Sequence, residues 1–123
     1  MNIEVSNGEI LDKLTILKIK LEKIKNVEKL YHVKKEYEYL KKISKKINYL
    51  EEDFFNLLEI NKKLWNIEDE IRKFESKKIF NEYFIQLARS VYVTNDERAK
   101  IKKKINLYTN SNFLEVKSYK KYN

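Results

Sequence analysis

The sequence predicts an all-α fold: an antiparallel bundle of four to five helices, with a short extended N-terminal lead and a C-terminal tail docked on the bundle. Three observations carry this. Hydrophobic residues make up 42% of the 123 and charged residues 37%, the pairing expected of amphipathic helices. There is no proline and only one glycine, so the turns of an all-β chain lack their usual formers. Apolar residues recur at spacings of three and four along most of the chain, which is the period of a helix face. The length suits a single domain, residues 1–123, able to bury a core without disulfides or metals.

Residues 1–5 read as the extended lead. Ser6-Asn7-Gly8-Glu9 matches a capping box, in which the serine oxygen accepts from the backbone N–H of Glu9. A first helix follows over about Gly8 to Lys25, with Ile10, Leu14, Leu17, Leu21 and Ile24 as its seam. Ile16 and Ile19 widen that stripe, so the helix has partners on more than one side or meets a second copy. A second helix spans about Val27 to Tyr49, with Leu30, Val33, Tyr37, Leu40, Ile47 and Leu50 on one face. Its basic run, residues 41–46, reads first as a solvated face and second as a contact for nucleic acid or lipid. A break over residues 48–53 leads to a third helix from about Glu52 to Ser76. A fourth runs from about Ile79 to Tyr92. Thr94-Asn95-Asp96-Glu97 repeats the capping-box pattern and predicts a fifth helix to about Tyr108, with Asn110 as a left-handed C-cap. Residues 1–25 are expected against 54–92, with 94–119 closing one end. Phe113, Leu114, Val116 and Tyr119 supply the apolar surface by which the tail would dock.

The chain has no cysteine, which excludes disulfides, thiolate nucleophiles and cysteine-based metal sites. No apolar run approaches the roughly 18–20 residues of a spanning helix, and the N-terminus lacks the pattern of a signal peptide. A soluble, cytoplasmic protein without membrane insertion is expected. The net charge is +8, which favours anionic partners. Of the 27 basic residues 24 are lysines, and most of these read as solvated faces. The three arginines stand out, because a guanidinium grips carboxylate or phosphate with two parallel bonds where lysine is a point charge.

Three strings carry a resemblance. They are VSNGEILDKLTILKIK near the N-terminus, LLEINKKLWNIEDEIRKFE in the centre, and FIQLARSVYVTNDERAKIKKKIN followed by EVKSY. Together they resemble the signatures of a small family of bacterial and phage proteins of unknown function. The match covers nearly the whole chain in order, and is weakest over residues 26–53. The family pattern falls on Ser6, Gly8, Glu9, Asp12 and Lys13, then on Asn61, Trp65, Glu68, Asp69 and Arg72. Further on it falls on Arg89, Tyr92, Asn95, Asp96, Arg98, Asn106, Ser111, Glu115, Lys117 and Tyr119. Asn110 departs from the family's usual glycine, and asparagine tolerates the same backbone conformation. The resemblance implies no activity and no catalytic residues. It implies a loose association with glycan and surface-polysaccharide chemistry, and with that a glycosyltransferase-type partner protein.

The site expected from the residues is an anion-binding cluster around the start of the fifth helix, where free N–H groups and the helix dipole favour negative charge. Arg72, Arg89, Tyr92, Asn95, Asp96, Arg98, Lys102, Lys117 and Tyr119 are its candidates, with Trp65 as a pocket-lining ring. The alternative for the arginines is intramolecular pairing with Glu68, Asp69, Glu75 or Asp96. Trp65 has core packing as its alternative. Glu68 and Asp69 are the candidates for a divalent-metal site, which would require further carboxylates beside them. His32 reads as a surface residue. Three functions follow: a non-catalytic module binding an anionic small molecule or a protein partner, without a cofactor; a metal-dependent enzyme acting on a phosphorylated or nucleotide-linked substrate; and nucleic-acid binding through the lysine-rich helices. The broad apolar stripes add a homodimer to the expectations.

Overall fold

The computed structural model describes residues 3–111. It is all-helical over that range, with four helices: α1 (Asn7–Lys23), α2 (Val27–Ser44), α3 (Glu51–Ser76) and α4 (Glu82–Tyr108). The expected tail contacts of residues 113–119 lie outside the described residues.

Each helix starts where a side chain or an acidic first turn can serve its unpaired N–H groups. Ser6 Oγ accepts from the Glu9 N–H at 3.2 Å, the first half of the expected capping box. Asn26 and Asn81 cap α2 and α4 in the same way, accepting from Lys29 N–H at 2.9 Å and Phe84 N–H at 3.0 Å. Helix α3 has Leu50 at its N-cap and so no side-chain cap, and Glu51, Glu52 and Asp53 stand at its positive dipole end instead. The ends of α3 and α4 are Schellman motifs. Lys78 and Asn110 take the left-handed conformation, at φ 56° and 55°. The N–H of Ile79 then reaches Phe74 O at 3.0 Å, and that of Ser111 reaches Asn106 O at 2.8 Å. Asn110 is therefore the C-cap the sequence predicts.

Three boundaries differ from expectation. Helix α2 stops at Ser44 rather than near Tyr49, because the Ser44 hydroxyl bonds back to Lys41 O at 2.7 Å and the chain tightens into three-residue turns over 43–47. Helix α4 begins at Glu82 rather than Ile79, since Lys78 ends α3 and Asn81 is the cap. The largest correction concerns residues 93–96. They form no junction: α4 runs unbroken through them, and Thr94 is 1% exposed in mid-helix. The pattern Thr-Asn-Asp-Glu is locally compatible with a cap. Kept helical, those residues each cost no more than about 0.7 kcal/mol relative to alanine, and packing overrides that.

The core is centred on α1. Leu11, Leu14, Leu57 and Ile105 form its buried cluster, with Tyr37, Leu40, Tyr49, Phe54 and Ile101 packed around it. Helix α1 lies in the groove between the α3 and α4 arms of a long antiparallel hairpin, and touches all three other helices. Helix α2 packs back along α1 alone, so its seam of Leu30, Val33, Tyr37 and Leu40 is only half-buried. Residues 1–25 thus meet both arms of the hairpin, including residues 98–111, rather than 54–92 alone.

Candidate functional site

Several polar residues of the motifs meet in one place, the contact of α1 with α3 and α4. Arg98, Lys102 and Asn106 are spaced by four, so they share one face of α4. That face meets the first two turns of α1 as an antiparallel ladder. At the first rung, Asn106 Oδ1 accepts from the Gly8 N–H at 2.6 Å. Asn7 continues the rung: its N–H donates to Ser111 Oγ at 3.0 Å, and its Nδ2 to Thr109 Oγ1 at 2.9 Å. At the second, Lys102 Nζ pairs with Glu9 Oε2 at 2.9 Å, the lysine side chain being only 7% exposed. At the third, the Arg98 guanidinium grips Asp12 with two bonds, Nε to Oδ1 at 2.8 Å and Nη2 to Oδ2. Helix α3 completes this rung, with Asn61 Nδ2 donating to Asp12 Oδ1 at 2.9 Å and to Thr15 Oγ1 at 2.7 Å. The Thr15 hydroxyl in turn donates to Asp12 O.

Burial makes this network strong. Asp12, Thr15, Asn61 and Asn106 are each at most 4% exposed, so an unpaired group among them would keep its full desolvation cost. Gly8 belongs to the same device. A Cβ there would stand 2.6 Å from the Lys102 carbonyl oxygen and 2.9 Å from Asn106 Oδ1, so only glycine lets the helices approach this closely. A neighbouring pair ties α3 to α4: Lys104 Nζ meets the buried Asp53 Oδ1 at 3.1 Å. The Asp53 carboxylate raises the Lys104 ammonium above the ordinary lysine value. Two buried atoms, Asp53 Oδ2 and Asn106 Nδ2, have no hydrogen-bond partner among the described residues.

The expected anion cluster is distributed differently. Arg98 and Arg89 are nine residues apart on one continuous helix, roughly 180° around its axis. Arg98 faces α1, so Arg89 faces away from it. There Arg89 is exposed and hydrogen-bonds Tyr92, which raises its pKa. Arg72 is exposed on α3. Asn95 accepts from Arg98 Nη1 at 3.4 Å, and Asp96 is half-buried. The N-terminus expected at residues 95–97 does not exist, and the helix N-terminus that does lie here, that of α1, has its N–H groups engaged by Ser111, Asn106 and Ser6. Lys117 and Tyr119 lie outside the described residues. Trp65 is half-buried on α3. Glu68 and Asp69 are exposed, and among the described residues no three His, Asp or Glu side chains gather to hold a metal ion. A surface depression of about 510 Å³ between α3 and α4 is lined by Lys62, Asn66, Glu70 and Tyr83 among others and by none of the candidates.

Sequence reasoning missed Asp12 as the partner of Arg98, because they stand 86 residues apart. A signal was present: Asp12 stands one and two turns before Ile16 and Ile19, on the widened apolar stripe of the helix, and a carboxylate in such a position needs a cation. Asn61, between Leu57 and Leu64 on the α3 seam, carries the same signal.

The sequence pattern of the Family of unknown function (DUF6165) matches residues 1–122, and the chain belongs to that family. No curated protein and no solved structure matches the chain.

Proposed function

We propose that this chain is a non-catalytic helical module that binds an anionic partner through its exposed cations, Arg72 and Arg89 among them, and that its buried motif residues build the scaffold. One observation carries the reading: the groups with the most chemical potential are engaged with each other. Asp12 holds Arg98, Glu9 holds Lys102, and Asp53 holds Lys104. A buried carboxylate gripped by a guanidinium and an amide is a poor general base and a poor metal ligand. The surplus positive charge, +8 overall, stands on the outside with Arg72 and Arg89. The association with glycan chemistry makes sugar nucleotides the first ligand class to test, and a glycosyltransferase-type protein the first partner. We place the module in the cytoplasm, with self-association through the half-covered seam of α2 as part of the same proposal.

The test is a thermal-shift series with nucleotides, sugar nucleotides, inorganic phosphate and Mg²⁺ or Mn²⁺, on the native chain and on an Arg72→Ala, Arg89→Ala double variant. Both positions are exposed, so the variant keeps the native melting temperature. An anionic ligand raises that temperature by mass action, and the rise shrinks in the double variant. Metal-dependent turnover of any of these compounds would make the protein an enzyme and overturn the reading. A series in which no anion moves the transition removes small anions as the partner.

A further inference from the structure

The connections α1–α2 and α3–α4 lie at the same end of the molecule. Gly8 meets Asn106 and Asp12 meets Arg98, so α1 runs antiparallel to α4. Asp53 meets Lys104 and Phe74 meets Tyr83, so α3 is also antiparallel to α4 and runs in the same direction as α1, beside it at Asp12 and Asn61. The Lys13–Glu36 pair at 3.0 Å returns α2 along α1. From the Asp12–Asn61 level to the helix ends there are eleven residues of α1 and fifteen of α3, so the α3–α4 tip stands roughly 6 Å, about one turn, beyond the end of α1.

This end is apolar at its apex and basic around it. Val27 is 82% exposed, Phe80 53%, Tyr83 54% and Ile79 39%. The rings are held in place before any contact: Phe80 packs edge-on against Phe84 at 5.2 Å, and Phe74 against Tyr83 at 5.3 Å. Residues 20–29 carry four lysines and two glutamates, and residues 72–83 one arginine, three lysines and two glutamates. Those 22 residues therefore hold a surplus of four positive charges, half the net +8 of the chain. Ion pairs neutralise it little: Lys78–Glu75 at 3.8 Å and Lys73–Glu70 at 3.5 Å, whose glutamate lies just outside the counted residues, are both exposed pairs, and such pairs are weak.

We infer that this end docks the protein on an anionic membrane surface, with Phe80, Ile79 and Val27 entering the headgroup boundary and the lysines meeting the lipid phosphates. Apolar side chains at a convex tip, ringed by lysine, match a soft, negatively charged interface. A second copy of the chain is disfavoured, because it would bring two surplus-positive ends together. Contact of this kind needs no spanning segment, and no helix among the described residues is long and apolar enough to be one. The inference shares with the proposed function the sign of the partner's charge and one residue, Arg72.

The test is co-sedimentation of the full chain with vesicles of phosphatidylglycerol and phosphatidylcholine, beside vesicles of phosphatidylcholine alone, at low and high salt. Binding is expected only to the anionic vesicles, and should fall as salt rises. Phe80→Ser should lower the partition coefficient about tenfold or more, given the transfer free energy of a phenylalanine side chain. Lys77→Glu should lower it further at low salt than at high salt. Both positions are exposed, and unchanged melting curves will show that the variants fold. Absence of binding to anionic vesicles overturns the inference, as does binding that ignores lipid charge or is indifferent to both substitutions. Binding to polyglutamate that Phe80→Ser abolishes, without vesicle binding, makes the end a site for acidic protein and also overturns it. A dimer that Phe80→Ser dissociates does the same. A thermal shift with soluble anions alongside failed vesicle binding leaves the proposed function standing and removes only the membrane.

Discussion

Helices α1 and α2 differ by one residue in length, 17 against 18, yet seven residues of α1 are buried and only Ser44 of α2. Both have apolar seams at helical spacing. The difference is what surrounds them. Helix α1 occupies the groove of the α3–α4 hairpin on one side and receives α2 on the other, whereas α2 has α1 alone. Burial then decides what polar residues do. In α1, Asp12 and Thr15 are buried and fixed by Arg98 and Asn61. In α2, the lysines and glutamates stay in solvent, where their charges are screened. Charged residues on a helix with an apolar seam thus join a specific internal network in α1 and form a solvated face in α2.

The strongest way to break this comparison is at the third rung. Arg98→Ala leaves the Asp12 carboxylate buried with only Asn61 beside it, and should cost about 3–5 kcal/mol, read from urea denaturation. Asp12→Ala should fall at the lower end of that range, because the Arg98 side chain is 26% exposed and can reach water. A loss below about 1 kcal/mol for either variant would mean that the network orders side chains without holding the helices together.

Matched truncations sharpen the contrast between the two helices. Leu11→Ala, at a site 0% exposed, should cost about 3 kcal/mol, and Leu40→Ala on the half-buried α2 face about half of that. Equal losses would make α2 as central as α1. Hydrogen exchange reads the same difference without mutation, with α2 amides opening at lower free energy than those of α1. Gly8→Ala should cost about 2 kcal/mol, since a Cβ 2.6 Å from the Lys102 carbonyl forces the helices apart.

Smaller effects are expected away from α1. Lys78→Gly should stabilise the chain by about 0.5–1 kcal/mol, relieving a left-handed lysine. A pH dependence is expected on the alkaline side. Tyr49 is raised above its ordinary 10.0 by burial, then by Glu51 and Tyr37, and Lys104 above 10.5 by Asp53. In both cases the folded state holds the proton more tightly, so the stabilisation is complete below those values and is lost as pH rises through the raised ones. Lys104→Met should flatten part of that decline.

Much of the fold was legible from residue spacing. The all-α class, the capping serine at residue 6 and the left-handed cap at Asn110 follow from local chemistry that acts over a few residues. The end of α2 and the cap at Asn81 were local as well, but the competing signals there were close in strength. The Thr94 pattern misled for the opposite reason. Its local chemistry was read correctly, and contacts with distant residues outweighed it.

The candidate site shows the same division. Sequence by itself determined that the arginines are few, that they stand in a lysine-rich chain and that each can grip a carboxylate. It also determined that Arg98, Lys102 and Asn106 share a face, because helical spacing is a property of the backbone. Only the tertiary structure decided that α4 is unbroken, which turns Arg89 away from Arg98, and that the face of Arg98 meets Asp12, Glu9 and Gly8. The physical reason is separation along the chain. Capping and periodicity act within one or two turns, whereas the choice of partner for a buried charge is made across 86 residues, by whichever opposite charge the packing of apolar faces brings within reach.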